Sequence, residues 1–296
     1  MKKALAVSVL TVILASAVSS LSARKKTLAD INIFQEAYPD LKFEYTYNKK
    51  ADDFILSVTF PHKEEPEEFY WCNGSLLPEN EVANKEKYWS LFYDYPKLLK
   101  DPSELTEAEK EELKNFTTRE SRKNGAGTPP FFFDSLYSAD TRANLEKQLV
   151  QTTFLGKKTT IHKRIKAPLE KVEKKITALA QEDADLKKFV DSLKSADAYY
   201  WRLISGTNRK SFHSYGIALD IIPKRYTGEV FWSWARDHNP DGWILTPLSR
   251  RWIPHEKFIK AFEEEGFIWG GKWAIWDNMH FEYHPEILIF NRQYKW

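Results

Sequence analysis

The strongest constraint on the fold lies in two short runs near the C-terminal end of the chain. They are SFHSYGIALD at residues 211–220 and WAIWDNMHFEYHPEI at residues 273–287. In both runs histidine and aspartate stand beside strand-like apolar sequence, where hydrophobic packing alone would not place them, because a buried ionisable group is costly unless it is paired. A fold built from this sequence therefore has to give these polar side chains partners.

The first run has the composition of a turn followed by a strand. His213 and Asp220 are donors of the types that catalytic zinc takes, which are commonly three protein ligands with a fourth position left for water. Gly216 allows a tight turn between them, and Ala218 is too small to crowd a metal. Because side chains alternate along a strand, the apolar neighbours of Asp220 point to the opposite face. The spacing therefore indicates two zinc ligands brought together across a turn.

The second run supplies a third donor. It follows HEKFIKAFEEE, which reads as a helix closed by Gly266, and the strand-like FIWGG. If MHFEY is a strand, His280 and Glu282 share one face while the residues between and beside them point to the other. We expect His280 to be the third ligand and Glu282 to be either a ligand or a side chain that supports one.

Asp277 lies three residues before His280, so on a regular strand it would fall on the opposite face. It can approach the metal only from a turn at DNM, and we expect it to be the general base. A carboxylate beside a zinc-bound water can accept its proton during attack on a carbonyl and return it to the leaving amine. The chemistry predicted from these residues is hydrolysis of an amide.

The two runs together resemble the zinc D-alanyl-D-alanine carboxypeptidase and endolysin family of peptidoglycan peptidases, over roughly residues 195–290. The shared pattern is S-x-H-x-x-G-x-A-x-D followed downstream by D-x-x-H-F-E. Its positions here are Ser211, His213, Gly216, Ala218, Asp220, Asp277, His280, Phe281 and Glu282. The resemblance implies that Zn²⁺ is held by two histidines and one aspartate, His213, Asp220 and His280, with Asp277 as the catalytic base.

The resemblance also implies an α+β fold, in which a small antiparallel sheet flanked by helices carries the zinc site, as in hedgehog and D-Ala-D-Ala peptidase-like domains. The implied substrates are peptidoglycan stem peptides. Family members with dipeptidase activity carry glutamate where this chain has Asp277, so the aspartate favours a D,D-carboxypeptidase or an L-alanyl-D-glutamate endopeptidase. The alternative is a zinc-stabilised module that binds cell wall or protein without hydrolysis. An intact base beside three intact ligands favours the enzyme.

Substrate-binding residues are expected just upstream of the first run. Arg202 offers a planar fork of donors for a stem-peptide carboxylate or a developing oxyanion, whereas Arg209 is expected on the surface or in packing. Ser211 either donates to substrate or to a ligand carboxylate, or caps the turn. His284 shares strand parity with His280, but Pro285 follows it and ends the strand, so at most a supporting role is expected.

The first 23 residues have the pattern of a secretory signal peptide, with two lysines, an apolar run from Ala4 to about Val18 and small residues beyond it. The run is shorter than the roughly 20 residues that a membrane span needs. We therefore expect export to the periplasm or the cell exterior, with no stable membrane span after the signal is removed. Cys72 is the only cysteine, so no intrachain disulfide forms. The formal net charge of +2, with basic residues spread along the chain, does not indicate binding to nucleic acid.

We expect the chain beyond the signal peptide to have two parts. Residues 24–140 are predicted to be an N-terminal accessory region of unknown role, and residues 141–296 are predicted to be the zinc peptidase domain. FEYTYNKKADDFILSVTFP predicts two strands around a polar turn. Apolar spacing predicts packing of Leu169, Val172, Ile176, Leu179 and Ala180 on one helical face. Helices are predicted in ANKEKYWSLFYDYPKLL, TEAEKEELKNF, ADTRANLEKQLVQTTFL and APLEKVEKKITALAQEDADLKKFVDSLKSADAYYW. No pattern in the sequence indicates an oligomeric state.

Overall fold

The computed structural model describes residues 24–49 and 53–296, and the predicted signal peptide lies outside the described residues. The chain divides into two compact units, one ending at Lys85 and the other comprising Glu86–Trp296. Residues 86–140, grouped with the N-terminal region on sequence grounds, belong to the second unit. In the part of the chain that is described, no helix is both long enough and apolar enough to cross a membrane.

The first unit contains helix α1, at residues 24–37, and a four-stranded antiparallel sheet in the order β1-β2-β3-β4. Side chains of Phe34 on the helix and Trp71 on the sheet pack edge to face, with ring centroids 6.4 Å apart. The predicted pair of strands in FEYTYNKKADDFILSVTFP is confirmed as β1 and β2. The strands are β1 (Lys42–Asn48), β2 (Asp53–Thr59), β3 (Glu67–Cys72) and β4 (Ser75–Leu77).

The second unit is α+β, as expected, and is built on a four-stranded antiparallel sheet in the order β7-β8-β10-β9, with a separate β5–β6 hairpin. Its strands are β5 (Leu149–Phe154), β6 (Lys157–His162), β7 (Leu193–Asp197), β8 (Ala218–Pro223), β9 (Phe267–Trp269) and β10 (His280–Tyr283). Its helices are α2 (Glu107–Phe116), α3 (Arg119–Asn124), α4 (Phe131–Leu136), α5 (Arg142–Glu146), α6 (Lys166–Glu182), α7 (Ala184–Asp191), α8 (Trp232–His238), α9 (Glu256–Glu264) and α10 (Pro285–Tyr294).

Helix α9 forms the core behind the four-stranded sheet. Phe258 and Phe262 on this helix are fully buried, and their rings lie 5.9 and 4.2 Å from the ring of Phe281 on β10. Burial of a phenylalanine contributes about 1.5–3 kcal/mol relative to exposure. Since side chains alternate on a strand, packing Phe281 against α9 directs His280 and Glu282 to the opposite face. The core thus fixes which face of β10 carries the ionisable residues.

Several predicted elements are confirmed. TEAEKEELKNF forms α2, whose Thr106 and Glu109 make a reciprocal capping box. HEKFIKAFEEE forms α9, followed by Gly266 in the left-handed region at φ 93° and then by β9. Strand β10 ends at Tyr283, and Pro285 begins α10.

The helix predicted for ADTRANLEKQLVQTTFL is wrong after its first part. Only Arg142–Glu146 is helical, and Leu149–Phe154 is strand β5, paired with β6 across a turn at Leu155 and Gly156. The run LVQTTF contains three β-branched residues, which lose side-chain freedom in a helix and fit a pleated surface. A tight turn and an equally β-branched partner in KKTTIH decide the outcome.

The helix predicted for ANKEKYWSLFYDYPKLL is also wrong. A 3₁₀ helix ends at Lys87, and residues 88–100 form neither helix nor strand. The segment is held by distant partners, because the Tyr95 N–H donates to Asn291 Oδ1 at 2.9 Å and the Tyr95 hydroxyl accepts from the Trp269 N–H at 2.8 Å. These bonds outweigh the local helical spacing.

The long helix predicted from APLEKVEKK onward is divided. It ends at Glu182, Asp183 caps the next helix through its side chain, and SLKSAD becomes strand β7 instead of a continuing helix. Of the five residues predicted to pack, Leu169, Val172 and Ile176 are buried, whereas Ala180 is half-buried and Leu179 in the last turn of α6 is 37 % exposed.

Candidate metal centre

The pairing of β8 and β10 aligns two of the predicted ligands. In this antiparallel register Asp220 lies directly opposite His280, and Leu219 lies opposite Phe281. Facing residues of adjacent strands project to the same side of the sheet. The Asp220 and His280 side chains therefore meet on the face that α9 does not cover.

The third side chain comes from a 3₁₀ turn at Phe212–Tyr215, just before β8. The Ser211 hydroxyl accepts from the His213 N–H at 3.4 Å, and Gly216 ends the turn with φ 68°. A Cβ added at Gly216 would lie 2.9 Å from both His162 N and Leu149 Cδ2, so the hairpin β5–β6 approaches too closely for any other residue. The turn thus directs His213 toward Asp220.

The donor atoms of these three residues lie close together. His213 Nε2 is 3.2 Å from Asp220 Oδ1 and 3.2 Å from His280 Nδ1, and His280 Nδ1 is 2.8 Å from Asp220 Oδ1. Donors that share one tetrahedral zinc at about 2.0–2.1 Å are themselves about 3.4 Å apart. Among the described residues, these three form the group of histidine, cysteine and carboxylate side chains close enough to hold a metal ion.

The outer nitrogens of both imidazoles are already engaged. His213 Nδ1–H donates to the Ala198 carbonyl at 2.5 Å, and His280 Nε2–H donates to Glu282 Oε1 at 2.8 Å. An imidazole that donates from one nitrogen presents a lone pair on the other, which is how metal-binding histidines are oriented. The donor set therefore fits a divalent transition metal, with both inner nitrogens aimed at Asp220.

The comparison with protein families agrees with this geometry. Residues 205–283 match the family described as D-alanyl-D-alanine carboxypeptidase. The match contains all three donor residues, so the segment that carries the cluster is similar to this peptidase family. Residues 30–93 match a domain of unknown function. No curated protein and no solved structure matches the chain.

Within the carboxypeptidase-matched segment, Asp277 lies at the turn before β10 and makes an isolated bridge with Phe231. Its Oδ1 atom is buried and has no hydrogen-bond partner among the described residues. The pKa of Asp277 is raised to about 7, mainly by burial. The charge of Asp220 also raises this pKa, whereas the charge of His280 lowers it. A buried carboxylate oxygen left without a protein donor is chemically suited to face a water molecule or a substrate group.

Asp220 and His280 shift each other's pKa in opposite directions. Burial alone would raise the pKa of Asp220, but hydrogen bonds from His213 and His280 lower it well below its usual range. Burial alone would lower the pKa of His280, but its bonds to Asp220 and Glu282 raise it well above the ordinary value. A divalent cation would replace the proton that these groups now share.

A cleft of about 520 Å³ opens beside the cluster, between residues of β6 and β7 and the three residues Arg202, His213 and Asp220. This volume lies in the range of sites for small ligands. The side chain of Arg202 is exposed, and its charge lowers the pKa of Asp277. Ser211 is only 4 % exposed, and its hydroxyl caps the turn. Arg202 therefore borders the open site, while Ser211 lies beneath it.

Arg209 and three histidines outside the two runs lie in packing, capping or ion-pair positions. The Arg209 guanidinium stacks over Trp89 at 5.3 Å and donates to the Ala126 carbonyl at 2.9 Å. His162 is buried and accepts from the Arg164 N–H, and His255 caps α9. His238 pairs with Glu229 at 2.8 Å. None of these side chains belongs to the donor cluster.

Sequence reasoning missed Glu286 and underestimated His284. Both side chains are buried, and His284 Nδ1–H donates to Glu286 Oε1 at 2.7 Å. The charges of Glu286 and Glu282 outweigh burial and raise the pKa of His284 to about 9. The signal that could have found them is the run HFEYHPE, in which every second residue from His280 to Glu286 is ionisable.

Proposed function

We propose that this protein is a zinc-dependent peptidase that hydrolyses amide bonds in peptidoglycan stem peptides, as a D,D-carboxypeptidase or an L-alanyl-D-glutamate endopeptidase. The observation that carries the proposal is the convergence of His213, Asp220 and His280 beside the buried carboxylate of Asp277. The family match over residues 205–283 supports the same reaction class. In this proposal residues 141–296 form the peptidase domain, whose sheet is arranged as in hedgehog and D-Ala-D-Ala peptidase-like domains.

His213, Asp220 and His280 would hold the ion, and Ala198 and Glu282 would keep the two imidazoles in their ligating orientation. When bound, zinc supplies a Lewis acid for the scissile carbonyl and an acidified water as nucleophile. A structural zinc site is usually closed by four protein ligands, whereas a catalytic one keeps a position open. Three protein donors beside a cleft correspond to the catalytic type.

Asp277 would accept the proton of the attacking water and return it to the leaving amine. Its unpartnered Oδ1 supports this role, because no protein donor competes for the oxygen. Arg202, exposed at the cleft, would bind a carboxylate of the stem peptide, since a guanidinium matches a carboxylate with two parallel hydrogen bonds. We further propose that the chain is exported, because peptidoglycan lies outside the cytoplasm.

The test is digestion of purified peptidoglycan by the mature protein, with Zn²⁺ or with a chelator, followed by mass analysis of the released fragments. Release of terminal D-alanine would assign a carboxypeptidase, and cleavage between L-alanine and D-glutamate would assign an endopeptidase. Both activities should disappear with the chelator and return with Zn²⁺. Stoichiometric zinc without any released fragment would contradict hydrolysis and favour a zinc-stabilised binding module.

A further inference from the structure

Behind His280, alternate residues of HFEYHPE form a buried row of ionisable side chains that runs from β10 into the first turn of α10. The side chains of His280, Glu282, His284 and Glu286 are 8, 10, 3 and 0 % exposed. Only His280 belongs to the donor cluster. The other three need a physical explanation, because buried ionisable groups are costly unless each has a partner.

The contacts alternate between imidazole and carboxylate. His280 Nε2 is hydrogen-bonded to Glu282 Oε1 at 2.8 Å, whereas Glu282 Oε2 and His284 Nε2 are in ion-pair contact at 3.4 Å, and within the described residues His284 Nε2 makes no hydrogen bond. His284 Nδ1 lies 2.7 Å from Glu286 Oε1. The two oxygens of Glu282 thus face different imidazoles, so the orientation of its carboxylate depends on His284 as well as on His280.

His284 also contacts the segment that carries the other histidine donor. Its ring packs edge to face against Phe212 at 4.5 Å and against Phe133 at 5.3 Å. Phe212 immediately precedes His213 in the 3₁₀ turn. Aromatic pairs at these separations restrict the rotation of both rings. The His284 ring is therefore held by packing as well as by its two carboxylate neighbours.

Stability alone does not explain the row. Replacing a buried set of paired charges by apolar side chains of similar volume is often neutral or stabilising, so the fold has no need of these groups. By contrast, a histidine that binds a metal depends on the acceptor of its outer nitrogen, which fixes its tautomer and its ring orientation. In this protein that acceptor is Glu282.

We propose that His284 and Glu286 are positioning residues that act through Glu282 to hold the His280 ring in its metal-binding orientation. This inference rests on the proposed metal site. Glu286 fixes the His284 ring through a hydrogen bond, His284 is in ion-pair contact with the second oxygen of Glu282, and the first oxygen of Glu282 is hydrogen-bonded to His280. The row extends the support of one ligand across three residues, from the edge of the metal centre to the start of α10.

The test measures the Zn²⁺ dissociation constant by competition with a chromophoric chelator for the wild type, Glu282→Gln, Glu286→Gln and the double variant. Glu282→Gln should weaken binding about 10- to 100-fold, and Glu286→Gln, which acts one contact further away, about three- to tenfold. In the Glu282→Gln background the Glu286 substitution should have no further effect, because the route to His280 is already interrupted.

Glu229→Gln is the matched control, since it removes the carboxylate of another glutamate–histidine pair, with His238, outside the donor cluster. It should leave zinc affinity unchanged. The visible absorption of the Co²⁺-substituted protein gives a second readout, which Glu286→Gln should change only when Glu282 is present. An equal loss of affinity in both backgrounds, or a change below about twofold in the wild-type background, would overturn the inference.

Glu286 is fully buried, so circular dichroism must first establish that each variant folds. If Glu286→Gln does not fold, Glu286→Asp keeps the charge but withdraws the carboxylate by one methylene, and it should weaken zinc binding in the wild-type background alone. Wild-type protein that binds zinc but releases no peptide would contradict only the proposed hydrolysis. Wild-type protein that binds no zinc would overturn both proposals.

Discussion

At the scale of single residues, both candidate histidine ligands are held by hydrogen-bond partners outside the donor cluster. His213 is bonded to a backbone carbonyl and His280 to a carboxylate, while Asp220 is fixed by its place in a strand. Asp277 differs from these three, because its buried Oδ1 has no partner. Metal binding and proton transfer are thus expected of different residues, and substitutions can test the two roles separately.

Asp277→Ala should retain stoichiometric zinc and lower kcat about 10²- to 10⁴-fold, because it removes a proton acceptor and none of the three donors. Metal content by elemental analysis and turnover on a stem peptide measure the two effects. His280→Ala is the comparison, since it should lose the metal together with the activity. Turnover of Asp277→Ala at the wild-type rate would remove the role of base from this residue.

Substitution of the two arginines near the first run should have different consequences. Arg202→Ala should raise KM about tenfold or more, because a bidentate contact with a substrate carboxylate is lost at the cleft. Arg209→Ala should leave KM unchanged and lower the free energy of unfolding, since Arg209 packs on Trp89 and bonds to a carbonyl. Steady-state kinetics and urea unfolding test the pair, and a larger effect on KM from Arg209→Ala would reverse the assignment.

At the scale of secondary-structure elements, the site depends on the approach of the β5–β6 hairpin to the turn before β8. The His162 N–H donates to the Gly216 carbonyl at 2.8 Å, so the end of β6 is bonded to the residue that closes the histidine turn. The hairpin contributes no metal ligand, yet its contact with Gly216 fixes the position of the turn that carries His213. This contact ties the geometry of the metal centre to an element distant in sequence.

Gly216→Ala should destabilise the protein by about 1–3 kcal/mol, because the residue has positive φ and its new Cβ would press on the hairpin. Gly156→Ala is the matched control, with φ +73° and no atom within 4 Å of the added Cβ. It should cost only about 1 kcal/mol, the penalty of the left-handed backbone. Urea unfolding in the presence of chelator measures both variants, and equal losses would show that the contact with the hairpin is unimportant.

Elements were predictable where local pattern and final environment agree. The spacing of α9, the capping box of α2 and the alternation around Asp220 and His280 are local signals, and their convergence could be predicted from the two motifs. The segment around Tyr95 could not be predicted, since the Tyr95 N–H donates to the distant side chain of Asn291 and the Tyr95 hydroxyl accepts from the Trp269 N–H. Long-range bonds of this kind leave no periodic trace in the sequence.

The candidate site likewise has features that the sequence predicts and features that only the three-dimensional structure shows. Residue types and spacing predict the meeting of His213, Asp220 and His280, because zinc requires a particular set of donors. The buried, unpartnered oxygen of Asp277 depends on three-dimensional packing and has no local signature. Glu286 was overlooked because a glutamate in the first turn of a helix is ordinarily explained by the helix dipole.

At the scale of the whole molecule, the donors all come from the second unit, Glu86–Trp296. The described residues of the first unit, which ends at Lys85, contribute no donor to the cluster, and residues 30–93 match a domain of unknown function. Binding of zinc should therefore raise the stability of the second unit. Ligands that bind only the folded state raise stability by mass action.

Zinc at 100 times its dissociation constant should stabilise the second unit by about 2.7 kcal/mol. For a unit of this size the midpoint of thermal unfolding should rise by about 5–10 °C. Hydrogen exchange should slow in β8 and β10 and stay unchanged in β1 to β4. His280→Ala should abolish the effect. Slower exchange throughout the first unit would indicate that zinc binds elsewhere as well.

The alignment of Asp220 with His280 rests on aromatic packing behind β10 rather than on the ion itself. A slip of one residue in this pairing would set Phe281 against Asp220 and turn His280 into the hydrophobic interior, because strand faces alternate. Such a misaligned copy would keep its complement of strands and yet never acquire the metal. Under the proposed function, zinc content would therefore report whether β8 and β10 have paired in the correct register.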